Sequence, residues 1–360
     1  MRFCLFVLLL ALGAPPAFSQ GQVNVYNWSD YIDPDQLKDF AKQTGIKVNY
    51  TTYDSNEILD AKLKSGQSGY DIVVPTASPF FARQIAAKLY RPLDRTRLKN
   101  YRNLDPDTMA LLAKYDPRNI HGIPWMWGTV GIGYDEAAIR KRMGNAPADS
   151  LRMIFDPAIV SRFTDCGVMI LDSATDVLPA ALKYLHLDPD SKNPDDLAKA
   201  AKAVDAVRPY IRKFHSSEYV NALAGGDICL AFGYSGDILQ ARDRAAAAAD
   251  KRIINYATPN EGAMVWIDVA AIPASAPNVD NAYRFLDFML DPKVAAASST
   301  LTNYANGNAA ATPLLAKSIS GNKSIYPNAD ARAYFYAVTA DTAEQVRERT
   351  RLWTSIKTGQ

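Results

Sequence analysis

The stretch from Val23 to Val74 constrains the fold more than any other part of the chain. Val23 to Asn27 is a short extended run, and Asp33-Pro34 then supplies a helix cap followed by proline at the first helical position. Leu37, Phe40 and Ala41 fall on one face before Gly45 stops the helix. Ile46 to Thr52 alternates as a strand does, and Asp54 or Ser55 can open a second helix that ends near Gly66. Tyr70 to Val74 is a continuous apolar run of the kind buried on both faces. Strand, helix, strand, helix, strand predicts an α/β fold with a parallel, doubly wound sheet. Ligands of such sheets bind outside the carboxyl ends of the strands, so the loops Trp28-Ser29-Asp30-Tyr31 and Thr76-Ala77-Ser78 should face one crevice.

A different kind of segment precedes this pattern. Arg2 gives a basic start, Cys4 to Leu12 is apolar, and Ala17-Phe18-Ser19 fits a small-x-small cleavage site, so residues 1–19 read as a secretory signal cut near Ser19. The run is too short for a spanning anchor, and no later stretch approaches the roughly 20 apolar residues that a membrane helix needs. The expectation is export to the periplasm without insertion into the membrane. The remaining length suits two domains. Around Gly128 to Asp135 the chain is extended and glycine-rich, and a second lobe is expected to begin there. Val168 to Leu171 and Ile228 to Phe232 read as strands, with helices at Val177 to Leu185 and at Tyr219 to Ala224, the latter closed by Gly225-Gly226. Ile253 to Pro259 and Ala263 to Ile272 are extended again. Two extended crossings predict discontinuous lobes: residues 20–132 with 258–302, and residues 133–257 with 303–360. A strand hinge of this kind suits closure around a ligand. The run Ala245 to Ala249 is expected to be a surface helix, since alanine has the best helix propensity.

Charge and cysteine content exclude several classes of function. The formal net charge is +2, with no basic stripe, which argues against a nucleic-acid partner. Beyond the signal two cysteines remain, Cys166 and Cys229; an even pair in an oxidising compartment is a candidate disulfide, with two buried thiols as the other reading. The three histidines, His121, His186 and His215, lack metal-helix spacing, and no nucleophile-elbow or phosphate-loop motif occurs. An enzyme reading would rest on His215 as a base beside Ser216 or Ser217. No cofactor and no metal site is expected.

What the chain does carry is a series of carboxylates beside aromatic residues at turn positions: Trp28 with Asp30 and Tyr31, Tyr234 with Asp237, Trp266 with Asp268, and Asp176 just before a helix. A slender dication needs anions at its ends and flat apolar walls along its methylenes, and aromatic faces add cation–π attraction of about 0.5–2 kcal/mol per contact. Each member also has a structural explanation. Trp28 and Trp266 could be core residues, Asp30 and Asp176 helix caps, and Asp237 a turn residue after Gly236. Asp268 is the hardest to explain away, because it interrupts the apolar run Met264 to Ile272, where a carboxylate is costly to bury unless something cationic pairs with it.

Val-Tyr-Asn-Trp-Ser-Asp-Tyr-Ile (25–32), Gly-Tyr-Asp-Ile-Val-Val-Pro-Thr-Ala-Ser (69–78), Pro-Trp-Met-Trp-Gly-Thr-Val-Gly-Ile-Gly-Tyr (124–134), Phe-His-Ser-Ser-Glu-Tyr (214–219), Gly-Asp-Ile-Cys-Leu-Ala-Phe-Gly-Tyr-Ser-Gly-Asp (226–237) and Glu-Gly-Ala-Met-Val-Trp-Ile-Asp (261–268) resemble the periplasmic spermidine/putrescine-binding proteins. Tyr-Ala-Asn (304–306) and Ala-Thr-Pro-Leu (311–314) extend the resemblance over essentially the whole chain beyond the signal. It implies a two-lobed, type II binding-protein fold that closes on a polyamine, putrescine or spermidine, and docks on the membrane permease of an ABC importer, acting as a monomer. By position it implies Trp28, Tyr234 and Trp266 as aromatic walls, with Tyr31 and Tyr304 completing a box. Asp237 and Asp268 would hold ammonium groups, Asp30 and Asp176 would take supporting acidic roles, and Ser29, Thr76 and Ser216 would supply hydrogen bonds. Cys166 and Cys229 fall where relatives carry a bridge.

The chain departs from its relatives at three of these positions. Tyr234 stands where tryptophan is common, Trp266 where some have phenylalanine, and Asp176 where glutamate is common. These exchanges alter the length and width of the slot. Agmatine and cadaverine are alternative cationic guests, and a sensor could share the same pocket. An amino-acid ligand would call for an arginine, which the crevice motifs lack; iron would call for clustered tyrosines with a histidine.

Overall fold

Strand β1 (Gln22–Trp28) alternates its side chains between two cores: Val23 and Val25 join the larger buried cluster, and Tyr26 the smaller one on the opposite face. The computed structural model describes residues 21–249 and 251–359, so the expected signal lies outside the described residues. The helix Pro34–Thr44 starts at the expected cap, where the Asp33 side chain accepts from the backbone N–H of Asp35. It ends at Gly45, whose φ of 69° is a left-handed conformation that glycine adopts without steric cost. Strand β2 (Lys47–Tyr53) and the helix Asn56–Lys64 follow, and Ser55 rather than Asp54 provides the cap. Strand β3 is shorter than expected, Ile72–Val73, because the chain leaves the ladder at Val74, whose carbonyl accepts from the Trp28 indole and the Tyr53 hydroxyl. Both β2 and β3 run parallel to β1, with Val25 opposite Tyr50 and Ile72.

Strand β4 (Gly122–Asp135) joins the two halves of the molecule. The remaining strands are β5 (Val168–Ile170), β6 (Lys213–Phe214), β7 (Leu230–Tyr234), β8 (Ile254–Ala257), β9 (Val265–Ala271) and β10 (Ala305–Asn306). Their order is β2-β1-β3-β9-β4-β7-β5-β6, with β8 and β10 also on β4. Residues 122–129 of β4 pair with β9, and residues 130–135 pair with β7 and β8. The sheet is therefore mixed rather than wholly parallel. In each half three strands run parallel, β2-β1-β3 and β7-β5-β6, and the crossing strands β4 and β9 lie antiparallel to their neighbours. The chain returns between β8 and β9, the second of the two expected crossings.

Beyond Thr302, the chain stays against the first half for a stretch. Ala305 and Asn306 pair with Trp127 and Met126 on β4, and the Tyr326 ring packs edge-on against Trp127. The helix Ala343–Thr358 then packs on the second half, against the helices Ala174–Tyr184 and Pro194–Val207. The alanine run behaves differently from its expectation. The helix Ser235–Ala247 ends within it, and Ala245 is fully buried, its methyl small enough to sit in the core. The cysteines are bonded: Cys166 and Cys229 form a disulfide with Cα atoms 5.5 Å apart, beside the parallel β5–β7 pair.

Candidate functional site

Between the halves lies a cavity of about 60 Å³. Eleven of the twelve expected side chains line it: Trp28, Ser29, Tyr31, Thr76, Asp176, Ser216, Tyr234, Asp237, Trp266, Asp268 and Tyr304. The strand rule accounts for most of them. Trp28, Thr76 and Tyr234 stand at or just beyond carboxyl ends of parallel strands, and Trp266 and Asp268 are two residues apart on β9, hence on the same face. Tight glycine packing brings the walls together. A Cβ at Gly128 would lie 2.8 Å from Trp266 Cζ2 and from Ser235 Oγ, and one at Gly236 would lie 2.6 Å from the Tyr304 ring.

The rings form a connected box. Trp266 meets Tyr304 edge-on at 5.0 Å and Tyr234 at 5.8 Å, and Tyr304 meets Tyr31 at 5.6 Å. Trp28 is held by its indole N–H on the Val74 carbonyl at 2.9 Å and packs against Tyr53 at 4.7 Å.

Three carboxylates are embedded in this box, each held by hydroxyl groups. Asp268 accepts from Tyr31 Oη at 2.8 Å and Thr76 Oγ1 at 2.7 Å. Asp237 accepts from Tyr304 Oη at 2.6 Å and Tyr219 Oη at 2.8 Å, and Asp176 from Tyr234 Oη at 3.0 Å. Among the described residues, no lysine, arginine or histidine lines the cavity. Burial away from water raises all three acids: Asp176 and Asp237 to about 6, and Asp268 to about 7, where the charges of Asp176 and Asp237 add to the effect. The hydroxyl donors pull the other way and do not cancel it. Burial, and after it the neighbouring carboxylates, holds the phenols of Tyr31, Tyr234 and Tyr304 well above the ordinary tyrosine range, so these hydroxyls remain donors.

Asp30 is the exception among the expected residues. Its backbone is left-handed, with φ 52°; the flanking Ser29 and Tyr31 line the cavity, and Asp30 does not. Its carboxylate instead meets Arg244 Nη2 on the helix Ser235–Ala247 at 2.9 Å, with the acid side chain two-thirds exposed. Neither Asp176 nor Asp237 caps a helix through its side chain; each sits in the first turn of one, and the cap positions are Ser173 and Tyr234. Ser216 lines the cavity with its hydroxyl oxygen shut off from solvent and without a hydrogen-bond partner. Ser78, in a loop expected to face the crevice, lines the cavity too, as do Tyr53, Asn56 and Met264, which escaped the sequence reading. The carboxyl-end rule would have found Tyr53, the last residue of β2; Asn56 acts through Thr76, donating to its hydroxyl at 3.0 Å.

The profile of the bacterial extracellular solute-binding protein family matches residues 35–324. The putrescine-binding periplasmic protein SpuD of Pseudomonas aeruginosa is 46% identical over 96% of this chain and 95% of its own length. The putrescine-binding periplasmic protein PotF of Escherichia coli is 45% identical over 95% of this chain and 93% of its own. Among solved structures, the spermidine/putrescine ABC transporter substrate-binding protein PotD from Streptococcus pneumoniae superposes with a TM-score of 0.75 at 27% identity, covering 94% of this chain and 99% of that one. The chain belongs to the bacterial extracellular solute-binding proteins, and within them to the periplasmic spermidine/putrescine-binding family.

Proposed function

We propose that this protein captures a linear polyamine, putrescine foremost, in the cavity between its lobes and delivers it to the permease of an ABC importer. One observation carries the reading: three buried carboxylates, walled by aromatic rings, have hydroxyl partners, and among the described residues no lysine, arginine or histidine lines their cavity. An unpaired buried charge is expensive, and a guest with two ammonium groups supplies the missing counter-charge. Asp237 and Asp268 are the ammonium partners, Asp176 a supporting acid, and Trp28, Tyr31, Tyr234, Trp266 and Tyr304 the walls. Ser29, Thr76 and Ser216 contribute hydrogen bonds or orient the acids. The names of the relatives support this assignment.

The setting belongs to the same proposal. The protein acts as a periplasmic monomer after removal of its signal. One lobe comprises residues 20–132 and 258–302 and the other 133–257 and 303–360, with the stretch around 305–326 reassigned to the first lobe on the strength of its pairing with β4. The dication closes the lobes by binding the closed state better than the open one. We assign no catalysis. The His215 ring accepts at Nδ1 from the backbone N–H groups of Ser217 and Glu218, both at 3.1 Å, and its Nε2 meets Glu218 at 3.2 Å, which leaves no free base for a neighbouring serine.

A thermal-shift panel of diamines, triamines and amino acids tests the reading. A true ligand at ~100 times its Kd adds about 2.7 kcal/mol of stability. A response confined to amino acids would overturn the assignment.

A further inference from the structure

Tyr219 opens the helix Tyr219–Gly225, is 0% exposed and does not line the ligand cavity. Its ring lies against β7 at Gly233, where a Cβ would come within 2.5 Å of Tyr219 Cε2, so only glycine lets the phenol pass so close to the strand. A core position of this kind needs no hydroxyl to be filled. The oxygen is the part of the side chain that calls for an account, since a buried phenol must find hydrogen-bond partners.

Two partners meet that oxygen. The backbone N–H of Tyr234 donates to it at 3.0 Å, and it lies 2.8 Å from Asp237 Oδ2. An N–H can only donate, so it occupies a lone pair of the phenol, and the single phenolic proton is left for the carboxylate. The other oxygen of Asp237 is served in the same way: Tyr304 Oη accepts from the Asp237 backbone N–H at 3.2 Å and donates to Oδ1 at 2.6 Å. Each carboxylate oxygen thus receives a phenolic proton whose direction a main-chain amide fixes. To take up a proton of its own, Asp237 would have to turn one of these phenols from donor to acceptor, so the arrangement favours the ionised acid. Asp30 and Arg244 bring further charge to bear on Asp237, in opposite senses.

We propose that Tyr219 is a positioning residue for the amine: from outside the cavity it holds the Asp237 side chain in one orientation and presents it to the ammonium group as a committed proton acceptor. The inference rests on the polyamine reading above and deepens it, by placing a determinant of affinity in a residue that does not line the cavity. Burial alone lifts Asp237 to about 6, and the phenols oppose that rise. Loss of one donor to a charged group should raise the pKa by about one more.

Isothermal titration of the mature protein with putrescine, at about pH 5.5 and about pH 8, tests this on the wild type, Tyr219→Phe, Asp237→Asn and the double variant. Tyr219→Phe keeps the ring and removes the donor. It should weaken putrescine about eightfold at the lower pH, where fewer molecules then carry an ionised Asp237, and less than about twofold at the higher pH, where the acid ionises without help. In the Asp237→Asn background the same change should cost less than about twofold at either pH, because a residue that acts through Asp237 has nothing left to act on. Equal weakening at both pH values, unchanged affinity at the lower one, or a full loss that persists beside Asp237→Asn would each overturn the proposal. If Tyr219→Phe does not fold, the Tyr219 hydroxyl proton decides: buried and committed to a carboxylate, it should give a slowly exchanging NMR signal that moves or vanishes in Asp237→Asn and not in Asp268→Asn. A signal indifferent to Asp237, or none, would overturn the proposal. A wild type that binds no diamine would instead overturn the reading on which the proposal rests, and the hydroxyl signal would still test the hold of Tyr219 on Asp237.

Discussion

Replacing Asp268 by asparagine separates a binding carboxylate from a structural one. Asp268 is 3% exposed and is held by Tyr31 and Thr76, so the asparagine side chain occupies the same space and the two hydroxyls can reorient around it. In the empty protein the acid is pushed up to about 7, so near neutral pH it is already about half protonated, and a neutral amide changes little. The melting temperature without ligand should therefore hold or rise. With ligand the balance reverses, because the charged carboxylate is the partner that an ammonium group needs. Truncating one side of a buried, hydrogen-bonded charge pair costs ~2–5 kcal/mol. At 1.4 kcal/mol per decade the Kd for putrescine should rise by roughly 30-fold to a few thousand-fold. Isothermal titration measures the Kd, and differential scanning calorimetry the ligand-free stability. A Kd within about threefold of wild type, on the scale of a solvent-exposed pair, would refute the reasoning.

Further outcomes follow from the same structure. The folded-state pKa values of Asp176, Asp237 and Asp268 lie above the unfolded carboxylate value, so the empty protein binds extra protons between about pH 4 and pH 7 and its stability falls as pH rises through that window; a bound dication needs the charged acids, so affinity should climb over the same range. Melts with and without putrescine from pH 5 to 8 should show a ligand-induced shift that grows with pH, and a flat shift would contradict the assignment. Replacing Cys166 and Cys229 together by alanine should remove about 4 kcal/mol by the chain-entropy estimate, read by denaturant unfolding, while putrescine affinity is kept, because neither residue lines the cavity. Asp30→Ala removes an exposed ion pair outside the cavity and should change stability by no more than ~1 kcal/mol and affinity by only a few-fold. A loss comparable to that of Asp268→Asn would return Asp30 to the ligand set.

The candidate site was legible from the sequence wherever chemistry and local geometry coincide. Asp268 was conspicuous because a carboxylate inside an apolar strand has no cheap structural explanation, and Trp28 and Thr76 because they follow strands whose periodicity is plain. Asp30 misled for the same reason that its neighbours did not. It shares their loop, but one left-handed residue separates it from the cavity, and its partner Arg244 is 214 positions away in the chain. Tyr219, which holds Asp237, gave no signal: a buried tyrosine in a helix looks like core until the residue at the end of its hydroxyl is known.

The sequence by itself determined the β-α-β-α-β opening, the caps at Asp33 and Gly45, the two crossings and the acidic, aromatic character of the cleft. All of these arise from spacing and residue type within short windows. Only the tertiary structure decided that the crossing strands run antiparallel to their neighbours, that the chain after Thr302 first returns to β4, and that Asp176, Asp237 and Asp268 share one cavity that, among the described residues, no lysine or arginine lines. The physical reason is that a carboxylate's protonation and its need for a partner depend on the water and charges around it, and these are supplied by segments far apart in the chain.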